Sequence, residues 1–346
     1  MKYLLLSLSV SLALAAKYDF SPENSTSALD KYQPYLYVPG ESQFATGVTT
    51  SYWTCSFVTA SDDHQYMVLG HTMYVGQVAL ARSSILDITD PSYYEMYLYT
   101  VPGVNVTSNI GHLDASVGGC GIRGVSDDNL SIMDSYSKHD LINYNFTYEA
   151  TSAVLFNGAL GLFNFGGKEC GEWAIPAAKT SGTLSVRGKE LTIDPEASFT
   201  WYDRQWGDGG LDGGNYTWFQ IHLPDSSIRA SIWAIDDSLN STNPTPTTRL
   251  ATFRFPDGSH SILSFDFAPS SEGQYTSPST GRTYPTSWTL NFPGKGSIDI
   301  QSIRPDQETH NTTSGGPAAY EGFSNVTFNM FGLSEKGFGL AELVKG

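Results

Sequence analysis

Short runs in which apolar and polar residues alternate, each closed by Gly, Asn, Asp or Pro, recur along almost the whole 346-residue chain. Nothing else in the sequence restricts the fold as strongly. Alternation with period two sends successive side chains to opposite faces of a strand, whereas a helix repeats its apolar positions every three to four residues. YWTCSFVTA (52–60), QYMVLGHTMYV (65–75), YYEMYLYTV (93–101), SFTWYDRQW (198–206), YTWFQIHL (216–223) and SIRASIWAID (227–236) all read as strands. No stretch holds a 3.6-residue period across three turns. In RLATFRFPDGSHSILSFDF (249–267), Pro256-Asp257-Gly258 supplies a fixed φ and then a positive one, which predicts a hairpin. The expected class is all-β, with meanders closing into β-barrel or β-sandwich units.

These runs form two series, roughly 45–195 and 200–346, separated at Asp194-Pro195. The expected division is therefore a leader over 1–16, one β domain over 17–196 and a second over 197–346. The leader reading rests on Lys2, the apolar run Tyr3 to Leu14 and the small residues Ala13 to Ala16. That run falls short of the ~20 residues that span a bilayer, so membrane insertion is not expected. A secreted or vacuole-like location follows. Eight N-x-S/T sequons, at Asn24, Asn105, Asn129, Asn145, Asn215, Asn240, Asn311 and Asn325, fit a glycoprotein whose occupied sites must lie at the surface. Three cysteines, Cys55, Cys120 and Cys170, allow at most one disulfide, with Cys120–Cys170 and Cys55–Cys120 both open. The net charge, 19 − 35 = −16, argues against nucleic acid and anionic membranes as partners.

Familiar catalytic constellations are missing. There is no G-x-S-x-G, HExxH or CxxC, and VGGCGIRG (117–124) lacks the order of a dinucleotide loop, so neither metal nor cofactor is expected. What stands out is WYDRQWG (201–207), where bulky aromatics alternate with polar groups. Period two puts Trp201, Asp203 and Gln205 on one face and Tyr202, Arg204 and Trp206 on the other. An aspartate desolvated among aromatics takes a raised pKa unless a cation is near, and Arg204 points the other way. Asp203 and Gln205 are thus candidates for hydrogen bonding inside an apolar pocket walled by tryptophan. Arg204 could instead cap a barrel end. His222 shares a face with Trp218 and Gln220 and reads as a satisfied barrel residue.

WYDRQWG resembles the Y/W-x-D-x-Q-W-G motif of the AttH/CrtC lipocalin-like family. YWTCSF (52–57), GEWAIPAAKTSGTLSVRG (171–188), YPTSW (284–288), AYEG (319–322) and KGFGLAEL (336–343) match in order, across nearly the whole mature chain. The resemblance implies two lipocalin-like β domains packed side by side with a small apolar metabolite between them. It also implies cofactor-free catalysis, either a Diels–Alder type cyclisation or, as in kievitone hydratase, water addition to a prenylated phenolic; a carrier without catalysis is a third reading. Many members carry histidine where this chain has Arg204, which cannot accept a proton at ordinary pH. That departure favours cyclisation by positioning. Asp203, Gln205 and Tyr202 are the expected catalytic groups, with Trp201, Trp206, Arg204, Trp53, Trp173 and His222 around the substrate. Glu342 matches a family glutamate and is expected to pair with Arg204.

Overall fold

The computed structural model describes residues 17–25, 37–102, 111–210, 214–236, 247–311 and 317–345. The leader, Asn105 and Asn240 lie outside them. Among the described residues the structure is almost entirely antiparallel sheet. The first meander is β1 (Thr49–Ala60), β2 (Gln65–Val75), β3 (Val78–Asp87) and β4 (Tyr94–Pro102). A second runs through β5 (Asp114–Val117), β6 (Cys120–Gly124), β7 (Ile132–Lys138) and β8 (Asn143–Glu149). After the short β9 (Leu155–Phe156) and β10 (Leu162–Phe165), a long hairpin of β11 (Lys168–Val186) and β12 (Lys189–Gly207) joins the two meanders. The strand order is β4-β3-β2-β1-β12-β11-β8-β7-β6-β5. The sheet curls until β5 and β6 pack against β2 and β3.

The second sheet repeats this plan. Its meander is β13 (Asn215–Leu223), β14 (Ile228–Asp236), β15 (Thr248–Arg254) and β16 (His260–Leu263), followed by β17 (Asp266–Pro269). The small pair β18 (Tyr275–Thr276) and β19 (Thr283–Tyr284) stands apart, and β20 (Ser287–Phe292), β21 (Gly296–Ser302), β22 (Glu308–His310), β23 (Ala318–Met330) and β24 (Leu333–Lys345) complete it. Its order, β16-β15-β14-β13-β24-β23-β21-β20-β17, again places the first strand beside the last. The long hairpins of both sheets turn through two residues of positive φ, Arg187-Gly188 and Phe331-Gly332. Such turns match the right-handed twist of the strands they join. The molecule is thus all-β, built from two curled antiparallel sheets, a nearly closed barrel and a half-barrel.

Some expectations need correcting. Asp194-Pro195 does not end a strand. Between Val58↔Ser198 and Ala60↔Ile193 the β1–β12 register slips, and Pro195 falls within this bulge, where its missing amide donor does not face a ladder partner. The first sheet therefore continues to Gly207 and the second begins at Asn215, so WYDRQWG closes the first half rather than opening the second. All three cysteines are free and buried. Asn24, Asn145, Asn215 and Asn325 are exposed, but Asn129 is buried, with Oδ1 accepting from the Leu113 amide at 2.8 Å. A glycan there would break that turn. The 249–267 hairpin forms through β15 and β16, with Gly258 at φ +84°.

The sheets meet along one apolar seam. Trp53, Cys55, Phe57, Phe199 and Trp201 of the first pack against Trp218, Trp233, Phe323, Phe338 and Leu340 of the second. At one end the seam opens.

Candidate active site

Strand pairing builds the opening. Arg82 (β3), His71 (β2), Trp53 (β1) and Asp203 (β12) are direct cross-strand neighbours in one row. Two residues along, the next row holds Met73, Ser51, Gln205 and Glu172. Opposed residues share a face, and both rows face the second sheet. There a single row runs Trp233, Trp218, Glu342 and Glu321 across β14, β13, β24 and β23. Between the rows lies a cleft of about 360 Å³. Trp53, Trp218, Trp233, Phe165 and Leu80 supply apolar wall, and His71, Arg82, Asp203, Gln205, Tyr216 and Glu342 supply its polar groups.

Asp203 is buried, and the Trp201 indole N–H donates to its Oδ2 at 3.4 Å. Desolvation pushes its pKa up to about 8; the Trp201 bond opposes this, nearby Glu342 adds to it, and Arg204 offsets it least. At neutral pH Asp203 therefore keeps its proton in an apolar setting, the condition for a general acid. Burial, helped by the Arg82 charge, pushes the His71 pKa well down, so its ring is neutral. His71 Nε2 lies 2.8 Å from Ser51 Oγ, and Nδ1 has no protein partner among the described residues.

Arg82 holds the carboxylates apart from this acid. Its Nη2 lies 2.8 Å from Glu321 Oε1 and also bonds Glu342, and Tyr216 donates to Glu342 Oε1 at 3.0 Å. Burial raises the Glu321 pKa, which Arg82 partly reverses. Glu172, behind Gln205, is raised by burial and by Asp203. No group of three or more His, Cys, Asp or Glu among the described residues is arranged to hold a metal ion.

Alternation divides WYDRQWG as expected. Asp203 and Gln205 reach the cleft, and Trp201 backs Asp203. Tyr202, Arg204 and Trp206 turn into or along the first barrel, which keeps them out of the cleft wall. The Tyr202 hydroxyl donates to Gln43 Oε1 at 2.6 Å. The Arg204 guanidinium, 4.4 Å above the Tyr52 ring, donates to Ser51 O at 3.2 Å and to the carbonyls of Gln43, Ala45 and Gln205. It caps the barrel end through carbonyls and has no contact with Glu342, whose cation is Arg82. Trp206 packs edge-on to Tyr37, with centroids 4.9 Å apart. Trp173 is buried inside the barrel and donates to Ser42 Oγ at 2.7 Å. Of the remaining expected ligand contacts only Trp53 lines the cleft; His222 is buried along the seam, stacked on Phe338 at 5.3 Å. Replacing Tyr202 by phenylalanine should therefore leave kcat/KM within about twofold and cost about 1–3 kcal/mol, from the buried Gln43 oxygen left unpaired. A tenfold loss of activity with unchanged stability would return Tyr202 to the chemistry.

His71, Arg82, Tyr216, Glu172 and Glu321 escaped sequence reasoning. One signal was available: VLGHTM and ALARSS each set one ionisable residue among small or apolar neighbours, and a buried charge needs a partner.

Two curled antiparallel sheets that enclose an apolar cleft with a buried aspartate define an all-β protein with a cavity of small-molecule size between its sheets. The chain belongs to the AttH-like family, which it matches over residues 37–346. It is 35% identical over 344 residues to kievitone hydratase of Fusarium solani subsp. phaseoli, spanning 97% of this chain and 95% of that one. Dehydratase asqC of Emericella nidulans is 34% identical over 335 residues, 96% of this chain and 95% of the other. The crystal structure of kievitone hydratase from Nectria haematococca superposes with a TM-score of 0.85 at 37% identity, covering 95% and 99%. CghA, at 11% identity and a TM-score of 0.57 over 95% and 98%, shares the fold alone.

Proposed function

We propose that this protein is a hydro-lyase, adding water to an alkene side chain of an apolar aromatic metabolite or eliminating it from the corresponding alcohol. The single observation that carries the reading is Asp203, a carboxyl group buried in an indole-walled cleft, where desolvation raises its pKa. Hydration needs an acid that still carries its proton at the working pH, placed against the alkene carbon, and a dry place for the cation that results. In the forward direction Asp203 gives its proton to one alkene carbon. The faces of Trp53, Trp218 and Trp233 shelter the developing cation. Water then bonds to the cationic carbon, and neutral His71, with Nε2–H turned to Ser51, takes the released proton at Nδ1. Proton exchange with solvent resets both groups, and dehydration is the same path reversed.

The identities of about one third to a hydratase and a dehydratase support this reading over the cyclisation first expected, since the likeness to CghA is one of fold. The leader and exposed sequons support action in the secretory route or outside the cell. Turnover of a prenylated phenol in oxygen-18 water should place the label in the product alcohol, and deuterium oxide should place deuterium on the neighbouring carbon. Cyclised product without label would restore the pericyclic reading. Quenching of tryptophan fluorescence with no product would leave a carrier.

A further inference from the structure

Glu172 stands behind the cleft and not in its wall. It is fully buried, yet two wall residues end on its carboxyl group. Gln205 of the first sheet donates Nε2–H to Oε2 at 2.9 Å, and Trp233 of the second donates Nε1–H to Oε1 at 3.1 Å. Asn157 Nδ2 donates to Oε1 as well. Register explains the reach, since Glu172 sits directly opposite Gln205 on the neighbouring strand and shares its face. The turn holding Asn157 is itself tied to the second sheet, where Thr252 Oγ1 accepts from the Gly158 amide at 3.0 Å.

A primary amide has a donor end and an acceptor end. Three N–H donors end on the two oxygens of Glu172, and the bonds from Gln205 and Trp233 oppose the burial that raises its pKa. Glu172 thus takes the donor end of Gln205, which leaves the carbonyl oxygen for the cleft. We infer that Glu172 is a positioning residue that fixes Gln205 as a hydrogen-bond acceptor in the cleft, so that the site selects ligands with a hydroxyl donor, phenols above all. The inference rests on the reading of the cleft as a site for aromatic metabolites and names the group they must carry. A site built around a hydroxyl rejects an analogue lacking it, because its own buried polar atom is left unpaired.

Tryptophan fluorescence titration with ortho-prenylphenol and its methyl ether tests this without turnover. The wild type should bind the phenol about tenfold more tightly than the ether, the discrimination one well-made hydrogen bond supplies. In Glu172→Gln the new carbonyl must keep accepting from Trp233, a donor only, so the new amide nitrogen faces Gln205 and turns its amide round. The preference should then fall below about threefold, with ether affinity held within about twofold. Gln205→Met removes the acceptor directly and should show the same collapse, which covers a Glu172 variant that fails to fold. Equal binding of the two probes by the wild type, a preference that survives in either folded variant, or an equal weakening of both probes overturns the inference. Discrimination without water addition would sink the hydro-lyase reading alone; water addition without discrimination would sink this one alone.

Discussion

Replacing Asp203 by asparagine lowers kcat by a factor of about 10² to 10⁴, the range a positioned acid supplies, and does not weaken the fold at neutral pH. The amide keeps an oxygen for the Trp201 N–H and cannot protonate carbon. The linkage has a definite sign. Asp203 titrates near 8 in the folded chain against an ordinary 3.8, so folding takes up a proton between those values. Its contribution to stability is complete below the lower value and fades as pH rises through the upper one. Asparagine does not titrate, so the variant loses less stability than the wild type across that window. Activity should also decline above about pH 8 as the acid form disappears. Denaturant midpoints and initial rates over the same pH series check both halves. A folded variant retaining a tenth or more of wild-type kcat would falsify the assignment of Asp203 as the acid.

Arg82→Met is the change expected to hurt the fold most. The Arg82 side chain is 8% exposed and lies between Glu321 and Glu342, at 0% and 7%. Without it two buried carboxyl groups face each other with no cation, a loss of about 3–5 kcal/mol. That is a large share of the margin of about 5–15 kcal/mol typical of folded proteins. Adding Glu321→Gln should recover much of the loss, because one charge site is then removed from a pair that has no counter-ion. The double-mutant cycle reads the coupling directly in urea midpoints. The Arg82 charge also holds the His71 pKa down, so in any folded variant the acid limb of the pH–rate profile should move to higher pH. A single variant within about 1 kcal/mol of wild type would show the triad to be worth no more than a surface ion pair.

Fold class was legible because strand alternation is local. QYMVLGHTMYV reads as a strand at the bounds the structure gives it, and Pro256-Asp257-Gly258 reads as the turn of the β15–β16 hairpin. Pro195 misled because a missing amide donor ends a ladder only where no bulge can take it up, and whether one can depends on β1 across the sheet. The candidate site was half legible for the same reason. Period two in WYDRQWG separated Asp203 and Gln205 from Tyr202, Arg204 and Trp206. It did not say that the first face meets a second sheet while the other fills a barrel.

What the sequence alone determined is therefore the set of strands, their turns, and which residues travel together on a face, since backbone geometry settles these within a few residues. Only the tertiary structure decided that Asp203 loses its water while its nearest cation spends its donors on carbonyls, and that Arg82, His71 and Glu172 gather beside it. Those facts come from register between strands far apart in the chain, and a side chain's solvation depends on every neighbour that closes over it.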